Sequence, residues 1–224
     1  MDYIRFLSDS FDYTKEALCG RWVRWLLLLV SVVIFPLIYG YTVRVMSGAK
    51  PAPEPEGWIG LFIDGIKLIV ISIVYAIPVW ILTLIPLALY FIPVSVTTTP
   101  GAGSGGLFGP EVAIVIALVV FVIFIVAAIA VGILATFAMV RFARTGRMGE
   151  AFRVRALVAH IGEIGWLDVF IGLLVVGIVL AIVEFVLLLV PLIGPVLIFL
   201  LTPAFIIFAY RYVALIYESA PAPA

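Results

Sequence analysis

Between Glu111 and Arg141 the chain runs for 29 residues without one charged side chain. As a helix that stretch is about 43 Å long. The hydrocarbon of a bilayer is about 30 Å thick, so one tilted helix crosses it with residues to spare. Water is the wrong solvent for such a segment. The whole sequence agrees: 66% of the 224 residues are hydrophobic and 12% charged, whereas a soluble domain is about half apolar and a quarter charged. Formal net charge is zero, which disfavours bulk attraction to nucleic acid. Cys19 is the single cysteine. That excludes an intramolecular disulfide and a thiolate metal cluster, and Cys19 reads as a small apolar filler.

The fold class expected is an all-α integral membrane protein with about five transmembrane helices. The candidate segments are 23–43, 66–96, 112–140, 167–190 and 192–214. Each approaches the roughly 20 apolar residues that a span requires. The first begins after balanced charges and lacks a small-residue cleavage site, so it reads as retained rather than removed. The second carries Pro78, Pro86 and Pro93, and is expected to bend or to end near Pro93. "VPLIGPV" (190–196) is short enough to force an antiparallel hairpin between the last two segments. "TTTPGAGSGG" (97–106) is a flexible loop, "GAKPAPEPEG" (48–57) a proline-stiffened linker, and the C-terminus a disordered tail. In the basic stretch 141–162, Val154, Leu157, Val158 and Ile161 fall on one helical stripe with His160 off it. This predicts a helix in the headgroup layer, with His160 interfacial.

The chain also matches itself. "GWIGLFI" (57–63) and "GWLDVFI" (165–171) share Gly-Trp-(Ile/Leu)-x-x-Phe-Ile. Upstream of each, an apolar segment ends in an arginine, Arg44 or Arg141, followed by a polar linker containing glycine. Two parallel helix–linker–helix repeats plus a C-terminal helix account for this. The expected organisation is an N-terminal interfacial segment (1–22), a first unit (23–96), an extracytoplasmic loop (97–111), a second unit (112–190), a final helix (192–214) and the tail (215–224). Trp58 and Trp166 are the expected anchors at the water–lipid boundary.

Lys and Arg counts orient the chain. Five crossings with both linkers and the C-terminus cytoplasmic place nine basic residues inside and leave Arg5, Lys15, Arg21 and Arg24 outside. If instead the first segment dips in and returns at Pro36 and Gly40, all thirteen are inside. The repeat favours five crossings, because the counterpart third segment looks like a full span.

"PLIYGYTVRVMSG" followed by "EGWIGLFIDGIKLIVISIVYAIP" resembles the archaeal and bacterial membrane proteins grouped as domain of unknown function 4013. The matching positions are Gly40, Tyr41, Arg44, Gly48, Trp58, Asp64, Gly65, Tyr75 and Pro78. The resemblance is most specific over 36–78 and covers most of the chain loosely. More distantly, the layout is similar to the membrane portions of some bacterial glycerophosphodiesterases. What the resemblance implies is an integral membrane protein, of archaeal type, with no activity to carry over.

Motifs for catalysis are missing: there is no H-E-x-x-H, no G-x-S-x-G and no phosphate-binding loop. No catalytic residue, metal ligand or cofactor is expected, and the chain does not read as an enzyme. Arg141, Arg144, Arg147, Arg153 and Arg155 form a basic cluster suited to anionic lipid headgroups. Asp64 and Lys67 can pair at i, i+3, with Asp64 near a helix start. Glu184 stands alone among leucines and valines. It is protonated and hydrogen-bonded, or reaches the outer headgroups, or is a proton or cation site facing the bundle interior. Ala128/Gly132 and Gly177/Ala181 are small-x-x-x-small pairs that permit close helix approach, within the chain or across an oligomer. The expected function is a membrane-embedded binding, scaffold or accessory component, and the alternative is a small transporter or channel using Glu184. Expected partners are membrane lipids, anionic ones among them, a second copy or another membrane protein, and no nucleic acid.

Overall fold

The computed structural model describes residues 1–96 and 110–220, with backbone alone for 85–96, 110–114, 116 and 117. The expected loop at 97–111 and the last four residues of the tail therefore lie largely outside the described residues. Eight α-helices follow in order: α1 Tyr3–Leu18, α2 Trp22–Val33, α3 Phe35–Met46, α4 Trp58–Val96, α5 Pro110–Thr145, α6 Val154–Ile164, α7 Trp166–Leu188 and α8 Ile193–Tyr217. A short 3₁₀ turn, Met148–Phe152, precedes α6. No strand occurs among the described residues. The protein is an all-α membrane protein.

Four helices are long and apolar enough to cross a bilayer: α4, α5, α7 and α8. The expected first span is not among them. It is divided at Ile34 into α2 and α3, of 12 residues each, and each is about 18 Å long. The sequence explains the break. Pro36 sits in the first turn of α3, where a missing N–H does no harm, but it cannot continue a helix from α2. Little backbone is left unpaired there. Ile34 N–H donates to the Val30 carbonyl (3.1 Å), and Leu37 N–H to the Ile34 carbonyl (2.8 Å). Lipid demands such pairing of any non-helical backbone.

The two arms fold back on each other. Arg24, near the start of α2, and Arg44, near the end of α3, both reach Glu54: Arg24 Nε donates to its carboxylate (2.9 Å) and Arg44 Nη1 to its carbonyl oxygen (3.0 Å). Twenty helical residues would separate those arginines by about 30 Å if the segment were straight. The segment 22–46 is thus a hairpin, its two ends brought together at Glu54. Four helices against the expected five or so thus have spanning length, and segment 22–46 takes the folded-back form that the repeat had disfavoured. Trp25 secures the hairpin to α8, its Nε1 donating to the Leu200 carbonyl (2.9 Å) in the turn before Pro203.

Two compact units are distinguished. The first comprises 1–72 and 136–224. In it α1 lies along α8, and α7 and α3 pack on α8 as well. Its core includes Tyr13, Ala17, Leu28, Leu37, Tyr41, Val45, Leu61 and Ile207. The second unit, 73–135, holds the remaining parts of α4 and α5. Its described side chains are mostly apolar and mostly exposed. The helical backbone of α4 continues through Pro78, Pro86 and Pro93 to Val96, three residues past Pro93.

Candidate functional site

Charge is concentrated where α1, the 47–57 linker and the ends of α3, α5 and α8 meet. Arg211 of α8 is the largest fully buried side chain, 1% exposed. Its Nε donates to Asp9 Oδ1 of α1 at 2.9 Å, and its guanidinium stacks 5.0 Å from the centre of the Tyr13 ring. Lys50 Nζ donates to the other Asp9 oxygen at 3.1 Å. Burial raises the Asp9 carboxyl, but hydrogen bonds and charge from Arg211 and Lys50 outweigh it and leave it below the usual range. Tyr13, pushed up to about 12 chiefly by burial, donates its hydroxyl to the Ala49 carbonyl at 3.0 Å. The N-terminal segment is therefore clamped to the linker and to the end of α8.

The expected basic cluster is not one surface. Arg141 is buried and makes two hydrogen bonds to Glu150 Oε2, at 2.7 and 3.1 Å. The Arg141 hydrogen bond holds the Glu150 carboxyl below the usual range. Arg153 pairs with the same carboxylate at 3.2 Å. Arg144 donates from Nε to the Met46 carbonyl (2.8 Å) and pairs with Glu218. Its guanidinium lies against Gly48, at φ +86°, where a Cβ would collide with it. Arg147 and Arg155 are exposed. Of the five headgroup candidates, then, Arg141 is withdrawn into the protein, and Arg147 and Arg155 are exposed.

His160 is a further correction. It is fully buried rather than interfacial. Its ring lies 4.3 Å from that of Tyr217, and its Nε2 sits 2.9 Å from the Tyr217 carbonyl, which makes Nε2 the donor. The buried face of α6 is Leu157, His160 and Ile161. Val154 and Val158, placed on that stripe by the sequence, are exposed. The helix rotates because Phe137 and Tyr217 offer an aromatic slot that accepts imidazole.

The family-motif positions converge on the first unit's packing. An added Cβ at Gly40 would fall on the Leu61 carbonyl, and one at Gly65 on the Pro36 carbonyl, so α3 and α4 cross backbone to backbone. Tyr41, fully buried, donates its hydroxyl to the Pro53 carbonyl at 3.1 Å, while Arg44 holds Glu54. Asp64 pairs with Lys67 at 2.8 Å. Both Gly-Trp motifs open a helix as expected, with Gly57 and Gly165 at φ +68° and +103°, and with Trp58 and Trp166 partly exposed at the first position.

Glu184 stands exposed on α7, between exposed Val183 and Phe185. Gly177 and Ala181 are exposed on the same face, and a Cβ added to Gly177 or Gly132 meets nothing within 4 Å. At Gly177, then, no described atom of another helix stands where a Cβ would go. Close approaches between helices occur at Gly40, Gly65, Gly172 and Gly194. No group of three potential metal ligands occurs among the described residues.

Sequence reasoning missed Asp9, Tyr13, Glu54 and the depth of Arg211. The spacing of Phe6, Ser10, Tyr13 and Ala17 on one face of α1 was a usable signal for its packing. Nothing local links Asp9 to Arg211, 202 residues away.

No curated protein and no solved structure matches the chain. A family model does, over residues 25–192, from α2 through α7 into the turn before α8. The chain belongs to that family, described as protein of unknown function (DUF4013).

Proposed function

We propose that the protein is a non-enzymatic, membrane-embedded binding or scaffold component whose polar end faces the cytoplasm. The observation that carries this reading is the clamp of α1 and the linker onto α8 through Asp9, Lys50 and Arg211. Ionisable groups that could move a proton or a substrate are engaged in holding an interfacial helix to a membrane helix. With segment 22–46 returning to its own side and four long helices following, all thirteen Lys and Arg residues fall on one side of the membrane. The positive-inside rule reads that side as cytoplasmic. Exposed Arg147 and Arg155 suit the anionic leaflet there, each contributing about 1 kcal/mol.

The transporter reading requires Glu184 to line an enclosed polar path, yet Glu184 is exposed on α7. Two measurements test the proposal. A cysteine at exposed position Ser8, in a Cys19→Ser background, should react with a membrane-impermeant reagent only after cells are opened. Labelling from outside would refute the orientation. Vesicles containing the purified protein should hold a pH gradient as long as protein-free vesicles do. A leak abolished by Glu184→Gln would replace the scaffold reading with the transporter.

A further inference from the structure

A cavity of about 540 Å³ opens beside the clamp, lined by Arg5, Asp9, Lys50, Arg211 and Glu218. Its two carboxylates are already engaged: Asp9 by Arg211 and Lys50, Glu218 by Arg144 from outside the wall. Four cations thus meet two anions, a surplus of two. The surplus is carried where a ligand can reach it, on exposed Arg5 and on Lys50, whose side chain is more than half exposed. Phe6 and Leu215 supply an apolar portion of the wall. The cavity lies beside the last turns of α8, which end at Tyr217. That is the level at which a spanning helix meets water and at which lipid phosphates sit.

We propose that this cavity binds an anionic phosphate group, held by Arg5 and Lys50 beside the Asp9–Arg211 pair. The proposal deepens the binding reading by naming a ligand class. A guanidinium and an ammonium on different elements, α1 and the linker, can grip one phosphate from two directions. Binding would tie the N-terminal helix to the linker more firmly, since the phosphate bridges them. The phosphate can be carried by an anionic lipid, whose acyl stem leaves along Phe6 and Leu215, or by a soluble ion.

The test uses the full chain in phosphatidylcholine nanodiscs. One series adds phosphatidylglycerol and counts bound anionic lipid by native mass spectrometry. The other adds millimolar inorganic phosphate and follows Tm. The variants are R5Q/K50Q, the charge-conserving R5K/K50R as a folding control, and R147Q/R155Q as a control for general surface charge. Expected is retention of phosphatidylglycerol that falls about tenfold in R5Q/K50Q, is kept by R5K/K50R, and falls by much less in R147Q/R155Q, whose arginines attract the leaflet diffusely without holding one lipid in a cavity. If inorganic phosphate raises Tm in the wild type but not in R5Q/K50Q, and displaces the lipid, the site stands with a soluble anion as its ligand. If R147Q/R155Q loses as much lipid as R5Q/K50Q, the attraction is a diffuse surface effect and the proposal fails. It also fails if neither ligand distinguishes the wild type from R5Q/K50Q. Neither failure alters the gradient or labelling results, so the scaffold reading is judged separately.

Discussion

The two Gly-Trp units begin alike and are built differently. Each places a glycine at positive φ before a helix that opens with tryptophan, because the linker must turn sharply into the membrane. Upstream they diverge. In the first unit the preceding helix, α3, is a 12-residue arm of a hairpin, interrupted at Ile34. In the second it is α5, 36 residues long. Packing diverges with it. In the first unit α3 meets α4 at Gly40 and Gly65, where carbonyls of the facing helix occupy the space a Cβ would need. At Gly172 of α7, in the second Gly-Trp unit, an added Cβ would lie 2.9 Å from Ile216 Cδ1 and beside the Tyr3 ring. Backbone cannot retreat, whereas the end of an isoleucine can. The same short motif thus fixes a local turn and leaves open whether the helix before it crosses the membrane.

Substitution should expose that asymmetry. Gly65→Ala and Gly40→Ala push a methyl into backbone and should destabilise by about 3 kcal/mol, or prevent folding. Gly172→Ala should cost about 1 kcal/mol, since Ile216 can change rotamer. Chemical denaturation in mild detergent measures both, and equal costs would break the distinction. Next in size is Asp9→Asn, which leaves Arg211 buried without its counter-charge. Loss of a buried partner typically costs 3 kcal/mol or more. Asp9 is a third exposed, so about 2 kcal/mol is expected.

That pair also sets a pH dependence. The folded Asp9 carboxyl titrates below its usual value, so its stabilisation is present above the ordinary carboxylate range, near pH 4, and is lost as pH falls through the lower folded value. Unfolding midpoints followed from neutral pH down to acid should decline less steeply in Asp9→Asn than in the wild type. Parallel curves would remove Asp9 from the account.

Tyr3 joins α1 to the start of α7, its hydroxyl donating to Asp168 Oδ1 at 2.9 Å. Tyr3→Phe should cost about 1 kcal/mol. The smallest effect is expected at Gly177→Ala. Nothing faces that position in the chain, and alanine is the better helix former, so stability should hold or rise by about 0.5 kcal/mol. A clear loss would mean that a second copy covers this face in the bilayer.

The sequence alone determined the class of the protein and much of its punctuation. Long uncharged runs admit only helices in lipid, because every backbone donor must be paired within its own segment. Gly57, Gly165, Trp58 and Trp166 marked two helix openings, since positive φ and interfacial aromatics are local requirements, although the apolar run alone put the first start at 66 rather than Trp58. The 190–196 turn placed α7 against α8 as a hairpin. Tertiary structure decided the rest. Whether 23–43 crosses or returns depends on Glu54 drawing Arg24 and Arg44 to one place, an interaction absent from any single segment. The role of the arginines was hidden for the same reason: charge and spacing are the same in a free Arg155 and a buried Arg141, and only the position of Glu150 separates them. His160 turned inward because two aromatic rings from other helices left room for it. Local geometry is written in neighbouring residues. The choice of partner for a long, charged side chain is made by packing between segments far apart in the chain.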